Sequence, residues 1–199
     1  MKFLKNMKTL LQMDLITRTR LNMLWNLCFG AFEFFLAYTQ RSYWYFTLGV
    51  FFLILGIARG VSASKRISEN KKIRVISFQL AFLSIVICGM TFLTIDEVHY
   101  PIANKNLVIG QAAFAFTLIG MAIYNVIISH VRKQRNMIFI RDLSLASAIG
   151  SILSLQRTML GTFGDPSFRF NTIMEAATGM GAFLILLFLA FRLYRLKKK

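Results

Sequence analysis

Acidic residues are scarce in this chain: eight Asp and Glu stand against 24 Lys and Arg over 199 residues, a formal charge of +16. Cysteine is scarce too, with only Cys28 and Cys88, each inside a different apolar run and neither at CxxC or another metal-like spacing. They give no redox or metal signal and are expected to be small buried apolar side chains. Catalytic signatures are missing as well. Without a Walker loop, a GxSxG elbow, an HExxH or a paired-acid helix, nothing points to NTP hydrolysis, proteolysis or lipid transfer. His99, although close in sequence to Asp96 and Glu97, and His130 have no second ligand at helical spacing and read as surface residues. The expectation is a protein that is not an enzyme and has no cofactor, no metal site, no soluble domain and no long linker.

What the chain does have is apolar length. Hydrophobic residues make up 56 % and the mean hydropathy is +0.58, a combination with +16 that a soluble domain of this size rarely shows. A pI near 10.5 is also the mark of a nucleic-acid binder. Here, though, the basic residues fall in short clusters between long apolar runs instead of lining one surface. Membrane insertion selects that pattern, because Lys- and Arg-rich loops stay on the cytoplasmic side. Nucleic acid is therefore not an expected partner, and the lipid bilayer is.

A bilayer core of roughly 30 Å needs about 20 mostly apolar residues per helix. Stretches at about 21–39, 43–58, 75–95, 107–129, 138–157 and 172–194 meet that need. The fifth is the ambiguous one, since only a short serine-containing stretch separates Asp142 from Arg157. Loop charge argues for keeping it. With six spans and both ends inside, 20 of the 24 basic residues fall on the cytoplasmic side, and only Arg41, Lys105, Arg157 and Arg169 fall outside. Tyr38, Tyr43, Trp44, Tyr45 and Tyr194 sit where interfacial anchors belong. The basic start (Lys2, Lys5, Lys8) leads into a mixed segment and not a signal-peptide core, so the first apolar run is expected to remain as a signal-anchor. The expected fold class is thus all-α, a polytopic membrane protein of six transmembrane helices, N-in and C-in. Residues 1–20 would form an amphipathic or merely basic cytoplasmic segment, 21–195 the membrane domain and 196–199 a basic tail. The expected location is a multi-pass position in a cell membrane, the bacterial plasma membrane.

Polar residues inside spans are costly and default to functional candidates. Asn22, Asn26, Gly30 and Glu33 advance by helical steps and share one face of the first span. An ionised Glu at a helix centre costs about 2.5–3.5 kcal/mol, so Glu33 is expected to face the bundle and to be paired or protonated. Glu175 shares a stripe with Asn171, Thr178 and Ala182, and Arg157 closes the fifth span at a compatible depth. An internal ion pair, the favoured reading, and the floor of a cavity both fit these three charges. Gln111, Asn125 and Ser129 share a face of the fourth span. Ser77, Ser84, Cys88 and Thr91 form a stripe in the third, and Ser144, Ser147, Ala148, Ser151 and Ser154 form one in the fifth; such stripes read first as helix packing. Gly56 and Gly60 form one small-xxx-small pair. The run Thr158 to Pro166 reads as a turn at the membrane exit.

The hairpin from Asn26 to Arg59, with its short turn at Arg41–Ser42, the basic loop after it and the polar stretch from Ile140 to Tyr194 resemble the membrane domain of the cation diffusion facilitator family. That resemblance implies six spans with both ends inside. In that family, acids or histidines spaced by four on the second and fifth spans bind the metal. Here the matching stretch Leu48 to Phe52 is apolar, the matching places in the fifth span lie near Leu145 and Ile149, and Asp142 falls on a non-ligand position. The family's C-terminal metal-binding domain is absent as well. The chain also resembles small bacterial membrane proteins. Two functions follow. One is a transporter-like bundle whose polar site draws on Asn22, Asn26, Glu33, Asn125, Arg157 and Glu175. The other is a non-transporting accessory or sensor subunit that binds lipid, a second copy or another membrane protein.

Overall fold

The apolar runs fold as six α-helices in the computed structural model, which describes residues 15–64, 66–93, 105–132, 135–163 and 168–195. They are α1 (Leu15–Gln40), α2 (Tyr43–Ala63), α3 (Glu69–Leu93), α4 (Lys105–Arg132), α5 (Arg135–Phe163) and α6 (Phe168–Arg195). The described residues are all-α. By length and composition, α2 to α6 each qualify as a membrane span, so this is a multi-span helical membrane protein. α1 is not in that group; it carries Arg18, Arg20, Asn22, Asn26 and Glu33 among its apolar residues.

Packing is pairwise around a central helix. α1 lies on α2, α3 on α6 and α4 on α5, while α5 also touches α2 and α6 and is the most deeply buried of the apolar helices. The α1–α2 turn is made by Arg41 and Ser42 alone. Arg41 takes φ 49° in the left-handed region, and Ser42 N–H bonds back to Ala37 O at 3.3 Å, the closing bond of a Schellman cap. Ser42 then opens α2 with extended backbone. Glycines set the closeness of the pairs: a Cβ on Gly49 would meet the Phe34 ring at 2.9 Å, and one on Gly56 would meet Leu27 Cδ2 at 2.8 Å. A ring cluster of Trp25, Phe29 and Phe32 around Phe114, at 5.3–5.6 Å between centroids, joins α1 to α4.

Several sequence expectations need correction. The basic loop expected after Arg59 is shorter than the basic stretch: α2 runs on to Ala63 and α3 starts at Glu69, so only residues 64–68 connect them. Lys72 Nζ bonds Ser62 O at 3.0 Å, meeting one of the carbonyls that the end of α2 leaves open. Thr158 to Phe163, expected as part of a turn, continue α5, and α6 begins at Phe168. Thr158 stays helical because its hydroxyl finds partners inside the bundle. Cys28 is exposed and Cys88 half-buried instead of both being buried, which suits apolar thiols facing lipid. The amphipathic reading before Leu15, His99, the rest of the Thr158–Pro166 turn and the tail 196–199 lie outside the described residues, as does the side chain of His130.

Candidate functional site

α5 carries a buried polar group at nearly every turn. Asp142, Ser144, Ser147, Ser151, Ser154, Arg157 and Thr158 are all buried. At 1.5 Å per residue, Asp142 to Thr158 spans about 24 Å, close to the thickness of a bilayer core. The serine stripe read from the sequence as packing is the spine of a polar seam. Side chains from α1, α2, α4 and α6 converge on it in three places.

Near the start of α5, Asp142 accepts bonds at Oδ1 from its neighbour Arg141, at 3.2 Å, and from Arg192 in the last turns of α6. Asp142 is fully buried, and its Oδ2 has no partner.

In the middle, Arg59 reaches across from α2. Its Nη2 donates to Ser144 Oγ at 3.2 Å and to Ser147 Oγ at 3.1 Å. Asn26 Nδ2 donates to the same Ser147 oxygen at 3.0 Å and Asn125 Nδ2 to Ser144 at 2.7 Å. Arg59, placed by the sequence with the cytoplasmic loops, is instead 2 % exposed inside the bundle.

Toward the other end, a hydrogen-bonded chain crosses four helices. Tyr45 Oη lies 3.1 Å from Thr158 Oγ1, and Thr158 donates to Gln111 Oε1 at 2.5 Å. Gln111 Nε2 contacts Ser154 Oγ, which donates to Glu33 Oε1 at 2.5 Å. With donors and acceptors taken in that order, all the bonds run one way, from Tyr45 toward the carboxyl group of Glu33. Glu33 is fully buried and its Oε2 has no partner. Beside this chain, Arg157 Nη1 pairs with Glu175 at 3.1 and 3.3 Å, and the guanidinium stacks 4.7 Å from the Trp44 ring centre.

The three charges expected at one depth therefore separate. Arg157 and Glu175 form a buried ion pair, while Glu33 ends a different network. Asn26 and Asn125 join through Ser147 and Ser144, and Asn22 is buried on the same face of α1. Reasoning from sequence missed Arg59 and Asp142. Arg59 stands between Ala58 and Gly60 in an otherwise apolar helix, and Asp142 is a single acid in a basic cluster; those were the available signals. Among the described residues, no three His, Cys, Asp or Glu side chains gather as a metal-holding group. Two clefts lie apart from the seam. One, at the α1–α2 turn, is lined by Phe34, Tyr38, Arg41 and Phe46; the other runs between α3 and α6 with Arg74 and Tyr194 in its lining. Compared with family models, curated proteins and solved structures, the chain matches none.

Proposed function

We propose that this protein is a six-span, N-in/C-in transporter-like bundle that moves a small polar or charged solute along the seam on α5, and is not an enzyme. One observation carries the reading: buried polar and ionisable groups follow α5 for about the depth of a bilayer core, and several of their atoms lack partners. Such groups are expensive in a membrane, and packing alone is better served by apolar or small side chains. The closed seam corresponds to an occluded state, with Glu33 and Arg59 as the charged positions a passing solute meets. α1 crosses with the rest because a two-residue turn holds it antiparallel to α2 and its polar face is turned onto α5. The basic residues at the α2–α3 connection and the end of α6 set the cytoplasmic side, as in the six-span arrangement of the family it resembles.

The test is flux into proteoliposomes holding the purified chain, scored for protons, potassium, chloride, amino acids and sugars. Glu33→Gln and Glu33→Ala are expected to abolish the flux that the wild type supports. Full flux in both variants sinks the reading.

A second reading rests on Arg66, Lys71 and Arg74, an exposed basic group beside the α2–α3 connection. As an accessory or sensor subunit, the protein would use this group on anionic lipid or an acidic protein partner. Crosslinking in native membranes that captures no stable partner counts against it.

A further inference from the structure

The acids of the seam each have their own partners. Asp142 is bonded by Arg141 and Arg192, Glu175 by Arg157, and Glu33 by the Ser154 hydroxyl. Arg59 is different. Its guanidinium is buried, both Nη2 hydrogens go to serine hydroxyls, and Nε and Nη1 have no acceptor. Among the described residues, no carboxylate lies within ion-pair distance of it.

The two serines that hold it have no acceptor capacity left. Ser147 Oγ accepts from both Arg59 and Asn26 and gives its own proton to Leu143 O at 2.9 Å. Ser144 Oγ accepts from both Arg59 and Asn125. A hydroxyl oxygen has two lone pairs, so both serines are saturated. Three N–H groups and a full positive charge remain, and an unpaired buried charge is strongly unfavourable. The side chain does not relieve this by reaching for the surface. Although Arg59 lies about one turn from the end of α2, its head meets Ser147, about three turns into α5.

We infer that the unpartnered edge of Arg59, flanked by the Asn26 and Asn125 amides, is an internal binding site for a small monovalent anion of the halide class. The single positive charge sets the valence, because among the described residues no second cation bonds to the serines and amides of this cluster. Water can accept from the free N–H groups and donate to Asn26 Oδ1, an open acceptor of the same cluster. It leaves the charge unbalanced, which an anion does not. This assignment deepens the transport reading and rests on it for the anion as cargo, whereas binding is tested separately.

The probe is bromide, titrated into the purified full-length protein against gluconate at constant ionic strength. Expected are a saturable rise in unfolding temperature, a more than tenfold weaker apparent affinity in Arg59→Lys, no dependence in Arg59→Gln, and anomalous bromide density beside Arg59 Nε or Nη1 in crystals. Equal bromide dependence in wild type and Arg59→Lys, or density there that is water only, overturns the site. If Arg59→Gln does not fold, the wild-type crystal decides. Solute flux in vesicles without bromide bound at Arg59 refutes the anion site and leaves transport standing; bound bromide without flux does the reverse.

Discussion

Arg157 is held from two sides, by both carboxyl oxygens of Glu175 and by the face of Trp44. Removing one member of a buried pair leaves the other charge uncompensated, at a cost of about 3–5 kcal/mol, while replacing both by apolar groups of similar volume is often close to neutral. Arg157→Met and Glu175→Met are each expected to destabilise by about that amount, and the double variant by much less than their sum. Unfolding in detergent measures the cycle, and additive losses would show that the pair does not couple. This pair was legible in the sequence because two opposite charges at matching depth in a membrane seldom ignore each other. The distinct place of Glu33 was not, because depth along a helix does not give its rotation toward a neighbour. Arg59 was hidden for a related reason. Near the end of an apolar run, an Arg that snorkels outward and one that turns inward look the same in sequence; the difference lies in the serines of α5, 85 and 88 residues away in the chain.

At the scale of the elements, small residues decide which helices pair closely. A Cβ on Gly179 of α6 would press on Thr91 of α3, meeting Cγ2 at 2.6 Å and Cβ at 3.0 Å besides contacting Oγ1. The threonine Cβ is fixed to its backbone, so the only relief is to move two helices apart. On Gly56 of α2, the same added methyl meets the far end of Leu27, which can rotate away. Gly179→Ala is therefore expected to lose about 1–3 kcal/mol and Gly56→Ala clearly less, read as unfolding midpoints in the same detergent. Equal losses would mean that α3 and α6 are not packed this closely. The sequence pattern pointed to Gly56 and Gly60, yet Gly60 has room beside Met23, with the nearest atom at 3.6 Å, and Gly179 drew no notice. A glycine's role in a contact depends on what faces it, and that partner lies on a helix remote in sequence. The helices themselves were visible from apolar length, although their ends were not. Turns of α2, α3 and α5 extend past the apolar runs because backbone bonding and local partners such as Lys72 and Thr158 continue to favour helix there.

For the whole molecule, the question is whether α1 crosses with the five apolar helices. Hydropathy argues against it and geometry argues for it. α1 is 26 residues, about 39 Å at 1.5 Å per residue, enough for a bilayer core of roughly 30 Å. Its polar stripe is buried against α5 and does not face lipid, which removes the composition objection. A helix lying flat on the surface could not keep the two-residue antiparallel link to a spanning α2 and also seat Glu33 beside Ser154. Crossing places Arg20 and Arg66 on one side of the membrane and Ser42 on the other. Single cysteines at Arg20, Ser42 and Arg66, in a chain with Cys28 and Cys88 replaced, report this through a membrane-impermeant maleimide on right-side-out and inverted vesicles. Arg20→Cys and Arg66→Cys are expected to label only in inverted vesicles and Ser42→Cys only in right-side-out ones. If α1 stayed on the surface, Arg20→Cys would label from the same side as Ser42→Cys, and the six-span arrangement would be lost. Labelling of all three in the reverse sense would keep the six spans but invert them, and would put the basic connections outside.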